Sequence, residues 1–401
     1  MMVRDKMKIT DINIVPANRF LYIQITTDEG FVGIGESGAW GFLDASAEVM
    51  ETFKQYLLGK NPLMIEHHWQ YLYRSFHFRG AAIMGAISAV DIALWDIAGQ
   101  WFDAPIHTLL GGASRHKVRT YYHVSGETTE ALIDECMKAK AQGYTAVGHL
   151  SPFLDEPRSQ AYFMPYAQMI NEAADRVGQL REAVGDEVDL CLELHRRMKP
   201  GEAVAFAQAV EPHRPMFLED PIPPDNFDAM GLVASKTSVP IATGERIHTP
   251  QEFQMLLSRN AMTYARTSVC VCGGITGARK IAAIAEAHGV AIVPHNPLSP
   301  VSTMACLHLS VAVDNFAVME LPDHDTVSAT ERYTSSSAVA RSTFTQRDMV
   351  TYVPRAESGF IAAPEKAGLG TALVKDIAER FPYRRREVNT RLHVDGSVVD
   401  Q

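Results

Sequence analysis

Cysteine is too scarce in this sequence to staple a fold: five residues, at positions 136, 191, 270, 272 and 306, scattered through a chain of 401. A disulfide framework is excluded as the organising device, and reduced thiols of a cytoplasmic protein are the simplest reading. Basic charge is also in short supply. The 37 lysines and arginines are outnumbered by 47 acidic residues, a formal balance of −10, which argues against the basic face that a nucleic-acid partner favours. A small anionic substrate stays open, because a bound cation can dominate the field inside a site. Long hydrophobic runs are missing too. No apolar stretch reads as the ~18–20 residues of a membrane span, so no membrane partner is expected. The charged start, Met1 to Thr10, does not read as a signal peptide.

What is there is patterning of two kinds. Residues 7–36 read as three strands, Met7–Ile12, Leu21–Ile25 and Phe31–Gly35, with a turn signal at Thr27-Asp28-Glu29-Gly30. Residues 44–110 read as helices. The small, apolar stretch 81–99 carries Ile87, Val90, Ile92, Leu94 and Ile97 among polar breaks. From about 117 the pattern becomes short apolar runs alternating with helical stretches, the mark of parallel strands with crossover helices. The runs end in Glu193, Glu219, Glu245, Ser268, His295 and Glu320, 23 to 27 residues apart. That is the length of one strand–helix unit, and the period predicts a TIM-type α/β barrel. The interval from His149 to Glu193 is longer and implies an insertion after the second strand. The tail reads as strand at Met349–Tyr352 and as turn at Ala367–Gly370, and with no further period it is expected to fold back on the N-terminal unit.

In such a barrel the C-terminal strand ends converge on one mouth. Three consecutive runs end in Glu193, Glu219 and Glu245. Three carboxylates at one rim repel each other unless a cation lies between them, and oxygen ligands suit Mg²⁺. Three solvated surface glutamates are the bland alternative. His195, two residues after Glu193, is expected on the same strand face, where it serves as a general acid or base or as a partner of Glu193. His295 is expected across the mouth, as a base or as a structural histidine. Glu320 either holds an oxygen when protonated or pairs with a base. Gly273-Gly274 permits a tight turn and anion approach to a helix N-terminus. Cys270 and Cys272 lack the second pair that a metal site needs. Asp91, Trp95 and Asp96 read as structural.

Taken in order, Ser88–Gly99, His107–Gly112, Glu219-Asp220-Pro221, Gly244-Glu245-Arg246, Gly273–Thr276, Pro294–Pro297, Gly368-Leu369-Gly370 and Val388–Leu392 make the chain resemble, over nearly its whole length, the enolase superfamily, and within it the mandelate racemase-like acid-sugar dehydratases. The resemblance implies an α+β capping domain (1–116), a modified (β/α)₇β barrel (117–320) and a C-terminal segment (321–401) returning to the cap. It implies a Mg²⁺-dependent carbon–oxygen lyase: proton abstraction next to a carboxylate, an enediolate stabilised by the metal, and loss of the β-hydroxyl to give a 2-keto-3-deoxy sugar acid. By position, Glu193, Glu219 and Glu245 match the metal ligands, His195 the acid for the leaving hydroxyl, His295 the seventh-strand base and Glu320 the eighth-strand acidic residue. Arg19 and Trp40, in loops of the cap, are candidate substrate contacts, with a structural role as the alternative. A homo-oligomer is the family expectation. Three departures stand out. The first ligand is Glu193 rather than Asp, Ser268 replaces the sixth-strand Asp, and Gly148 replaces the second-strand Arg or Lys. The base therefore stays open between His295, His149 and a tyrosine such as Tyr162 or Tyr166. A racemase or epimerase, and a non-catalytic metal-binding regulatory homologue, are the alternative readings.

Overall fold

The computed structural model describes residues 7–76, 78–154, 160–322, 345–386 and 390–399. The chain opens with an antiparallel sheet of β1 (Ile9–Ala17), β2 (Phe20–Thr27) and β3 (Val32–Ser37). Three helices follow, α1 (Leu43–Leu57), α2 (Ile65–Arg74) and α3 (Ala81–Trp101), then the short α4 (Ile106–Leu109). Gly33 and Gly35 bring β3 against the backbone of α3, where any Cβ would strike the carbonyls of Ala93 and Ala89.

One expectation needs correcting here. By length and composition α3 is apolar enough to cross a membrane, with a mean hydropathy of 1.6 over its best window. The interruptions by Asp91 and Asp96 hid this from a reading by continuous runs. In the fold 78% of that window is buried inside the protein, so α3 serves as the core helix of the cap, between its sheet and the barrel.

The second unit alternates strand and helix: β4 (Lys117–His123), α5 (Thr129–Ala141), β5 (Ala146–Leu150), α6 (Tyr166–Val184), β6 (Asp189–Glu193), α7 (Pro200–Val210), β7 (Phe217–Glu219), α8 (Phe227–Ala234), β8 (Ile241–Thr243), α9 (Pro250–Leu257), β9 (Tyr264–Ala265), α10 (Gly274–Ala287), β10 (Ala291–Ile292), α11 (Pro300–Ala312) and β11 (Met319–Leu321). The strands pair in parallel from β4 to β10. The ring closes through the β11–β4 ladder and a parallel bridge from Ile292 to Phe316. This is the modified (β/α)₇β barrel, with the cap as a separate layer. Tyr121, Ala146, Cys191, Phe217, Ala242, Val293 and Val318 form one buried cluster from seven staves, the plug of the barrel interior. Residues two further along a strand face the same way, so Cys191, Phe217, Tyr121 and Val318 carry Glu193, Glu219, His123 and Glu320 to the mouth above it.

The tail departs from its sequence reading at 349–352. Gln346–Met349 is a 3₁₀ turn and Val350 makes only an isolated bridge to Leu373. The strand lies later, at β12 (Phe360–Ala362), antiparallel to β4. Beyond it, Leu369 N–H donates to Asp96 of α3, and the short α12 (Ile377–Arg380) leads to a bond from Asn18 N–H to Phe381. Residues 391–399 hold the segment after β5, where Arg391 donates to Gln160 and Tyr162 bridges His393. Val388 and Asn389 of the tail motif lie outside the described residues.

Candidate active site

Glu193 and Glu219 are direct neighbours in the β6–β7 ladder. Glu245 follows β8 after Gly244, whose φ of +130° and close approach to the Phe253 ring exclude a side chain. One carboxylate oxygen from each of the three glutamates lies within 4.8 Å of the others. Burial drives the carboxyls of Glu193 and Glu219 well above the usual range. The charges of Glu245 and Asp220 add to this for Glu193, while Arg266 opposes it at Glu219. Burial works against charge at Glu245 as well, but Arg246 and His295 beside it pull its carboxyl well below the usual range.

His195 reaches the site by a route other than strand alternation. The strand stops at Glu193, and His195 and Arg196 take left-handed φ values of +49° and +64°. The His195 N–H donates to Glu193 Oε1 at 3.0 Å, and its Nε2 lies 3.9 Å from the same oxygen. His295 is at the other end of the carboxylate row, its Nε2 3.2 Å from Glu245 Oε2. The two histidines thus flank the three glutamates. Burial disfavours the charged form of both, and His149 adds to this for His195.

His149 is aimed by a bulge. Val147 pairs with Leu190 and Leu150 with Leu192, so two residues of β5 oppose one of β6, and His149 has a φ of +52°. A side chain at Gly148 would run into the Tyr121 ring, whose aromatic face fills the space beside it. His149 stacks on His123 (centroids 5.0 Å, 13°) and meets His195 edge to face (5.3 Å, 70°). Burial and then His123 push it down to about 4, so it is a neutral imidazole near pH 7.

Glu320 is clamped on both oxygens. Oε1 accepts from His123 Nε2 at 2.9 Å, and Oε2 accepts from Arg266 Nη2 at 2.6 Å and Asn296 N–H at 2.7 Å. Burial opposes the charge, but Arg266 and His123 hold this carboxyl well below the usual range. That favours the pairing role over that of a protonated oxygen holder. Arg19 and Trp40 lie in the cap loops, the Arg19 guanidinium 5.8 Å and that of Arg386 4.6 Å from the Trp40 ring centroid. The Trp40 loop sits over the mouth, since Gly38 N–H bonds Cys270 O beyond β9. Tyr162 stacks with Arg391 and His393 of the tail.

Sequence reasoning missed four residues: His123, Asp220, Arg246 and Arg266. His123 ends the first barrel strand as Glu193 ends the third, a signal available in the run Val118–Val124. A run read as ending in Ser268 puts Arg266 inside the sixth strand, whereas the strand stops at Ala265 and both residues lie in the loop that follows. The Gly273-Gly274 helix start does receive an anion, but it is a side chain of the cap: Asp91 accepts from Thr276 N–H at 3.0 Å. All five cysteines are free and buried.

Four buried carboxylates (Glu193, Glu219, Asp220, Glu320) and the half-buried Glu245 thus face two guanidiniums, Arg246 and Arg266. The surplus is negative, and the three glutamates offer oxygen donors alone, which fits a hard divalent cation such as Mg²⁺.

A capped barrel with acidic strand ends defines a class of metal-assisted barrel enzymes, and comparison with known proteins narrows it. Residues 131–377 match the family profile for the enolase C-terminal domain-like fold, and residues 3–111 that for the mandelate racemase / muconate lactonizing enzyme N-terminal domain. The chain belongs to the mandelate racemase / muconate lactonizing enzyme family of the enolase superfamily. It is 33% identical to the D-galactonate dehydratase of Verminephrobacter eiseniae, over 98% of this chain and all of that one. It is 31% identical to a D-mannonate dehydratase of Caulobacter vibrioides, again over 98% and 100%. Among solved structures it resembles an enolase from Agrobacterium radiobacter bound to sodium and L-malate, with a TM-score of 0.88 and 28% identity over 98% of this chain and 99% of that one.

Proposed function

We propose that this chain is a hydro-lyase acting on a sugar acid that carries a hydroxyl on the carbon beyond the α-carbon. The observation that carries the proposal is the row Glu193–Glu219–Glu245 flanked by His195 and His295. Similarity to dehydratases of D-galactonate and D-mannonate supports the same reading. Glu193, Glu219 and Glu245 would hold Mg²⁺, which supplies positive charge beside the substrate carboxylate and so acidifies the α C–H bond.

The protein's own side chains do the rest. His295, neutral and with its Nε2 3.2 Å from Glu245 Oε2, takes the α-proton. His195 at the opposite end delivers a proton to the departing β-hydroxyl, and the negative charge of an arriving substrate favours its protonated form. His149, held neutral against His123, offers a hydrogen-bond acceptor or donor to a substrate hydroxyl. Arg19 and Trp40 close the cap side and exclude water. A homo-oligomer belongs to the same proposal.

The test is a screen of sugar acids with Mg²⁺ and with EDTA, alongside His195→Asn. Turnover to a 2-keto-3-deoxy acid that EDTA abolishes and that falls at least ~100-fold in the variant is expected, general acid catalysis contributing roughly 10²–10⁴-fold. An isomer as product would replace the dehydratase by an epimerase. Turnover that survives EDTA would remove the metal from the mechanism. Glu193→Gln should weaken Mg²⁺ binding by at least ~100-fold in calorimetry, beyond the loss of an outer-sphere partner.

A further inference from the structure

Among the described residues Arg266 is the largest side chain with almost no exposure, and it sits under the mouth without being a candidate for chemistry. Its guanidinium reaches four groups from three strand ends. Nε donates to Glu219 Oε1, Nη2 to Glu320 Oε2 at 2.6 Å, and Nη1 to the carbonyls of Val293 and Pro294 at 3.3 and 3.2 Å. The Tyr121 ring lies 5.9 Å from its Cζ. Glu320 continues the chain to His123, which lies between the rings of Tyr121 (5.8 Å) and His149 (5.0 Å).

We infer that Arg266 is a positioning residue that ties the metal-binding carboxylate Glu219 to the Glu320–His123 pair, so that cation affinity and the orientation of the histidines on the far side of the mouth depend on one guanidinium. The inference rests on the assignment of Glu219 as a metal ligand. The physical argument has two parts. First, Arg266 donates to Glu219 Oε1 and so fixes the plane in which that carboxylate would meet a cation; a planar fork does this where a point charge would not. Second, the same fork keeps Glu320 ionised. An ionised carboxylate only accepts, so His123 must carry a proton on Nε2. One guanidinium thereby sets the plane of a ligand on β7 and the hydrogen bond that orients a histidine on β4.

Two variants test this. Arg266→Lys keeps the charge and loses the fork. Glu320→Gln keeps the shape and loses the acceptor charge. The expected result for Arg266→Lys is a Mg²⁺ dissociation constant ~10–100-fold weaker by calorimetry without substrate, the range for outer-sphere partners of a metal. The buried hydrogen bonds of the guanidinium are lost as well, so the variant's melting temperature in EDTA should fall, and the affinity is measured well below both melting transitions. Glu320→Gln should weaken Mg²⁺ in the same direction, because Arg266 then faces Glu219 alone and one negative charge is gone. Unchanged Mg²⁺ affinity in both variants overturns the coupling. A crystal structure of metal-free Arg266→Lys is the readout that does not depend on the metal assignment. Rotated carboxylates at Glu219 and Glu320 support the inference, and unaltered ones overturn it. A parent protein that binds no Mg²⁺ would instead count against the proposed function, leaving the crystallographic result to decide the role of Arg266.

Discussion

At the scale of single residues, the site owes its shape to positions where an ordinary side chain would not fit. Gly148 is the sharpest case. A Cβ there would lie 2.5 Å from the Tyr121 ring, so Gly148→Ala must push Tyr121 or the bulge away. Overpacking of this kind costs ~1–3 kcal/mol, measurable in urea unfolding, and the displaced His149 should lower kcat as well. A variant of unchanged stability and activity would show that the bulge tolerates a side chain. Glu193, Glu219 and Glu245 were legible in the sequence because strand ends recur at a fixed period. Arg266 was not, because its partners, Glu219 and Glu320, are 47 and 54 residues away.

At the scale of elements, helix N-termini of the barrel are received by carboxylates of the cap. Glu36, on β3, accepts from Ser299 Oγ at 2.5 Å and from the N–H groups of Ser299 and Ser302 at 3.2 and 3.0 Å, at the start of α11. Asp91 on α3 does the same for α10. The first-turn amides of a helix are unpaired donors at its positive end, and those of Ser302 and Thr276 are satisfied here across a boundary between layers. Because α11 begins five residues beyond His295, Glu36 also steadies the loop that carries that histidine. Ser299→Ala removes both an N-cap and a donor to a buried carboxylate. A loss of about 1–3 kcal/mol is expected in chemical denaturation, and a change within ~0.5 kcal/mol would deny the contact its importance.

For the whole molecule, these interlayer carboxylates make stability depend on pH. Burial raises Glu36 to about 7, Asp91 to about 7 and Asp96 to about 6, against the hydrogen bonds that favour their charge. Between the model-compound values, 4.5 for Glu and 3.8 for Asp, and these raised values, the unfolded chain releases protons that the folded chain keeps. Their contribution therefore declines as pH rises from about 4 to about 7 and is constant above. Asp91→Asn keeps an acceptor for Thr276 and cannot ionise. Its melting temperature relative to the parent, in EDTA, should be more favourable at pH 8 than at pH 5. A difference independent of pH would mean that Asp91 is ionised in the fold at both values.

The sequence by itself determined the alternation of strand and helix, the three acidic strand ends and the family, because these are written in local periodicity and in contiguous motifs. Tertiary structure decided the rest. It ended β9 early and put Arg266 under the mouth, delivered His149 by a bulge and His195 by a left-handed turn, and turned α3 from an apolar helix into the buried core of a cap. Each of these is settled by which distant surface a side chain must pack against or pair with, and no local pattern encodes that.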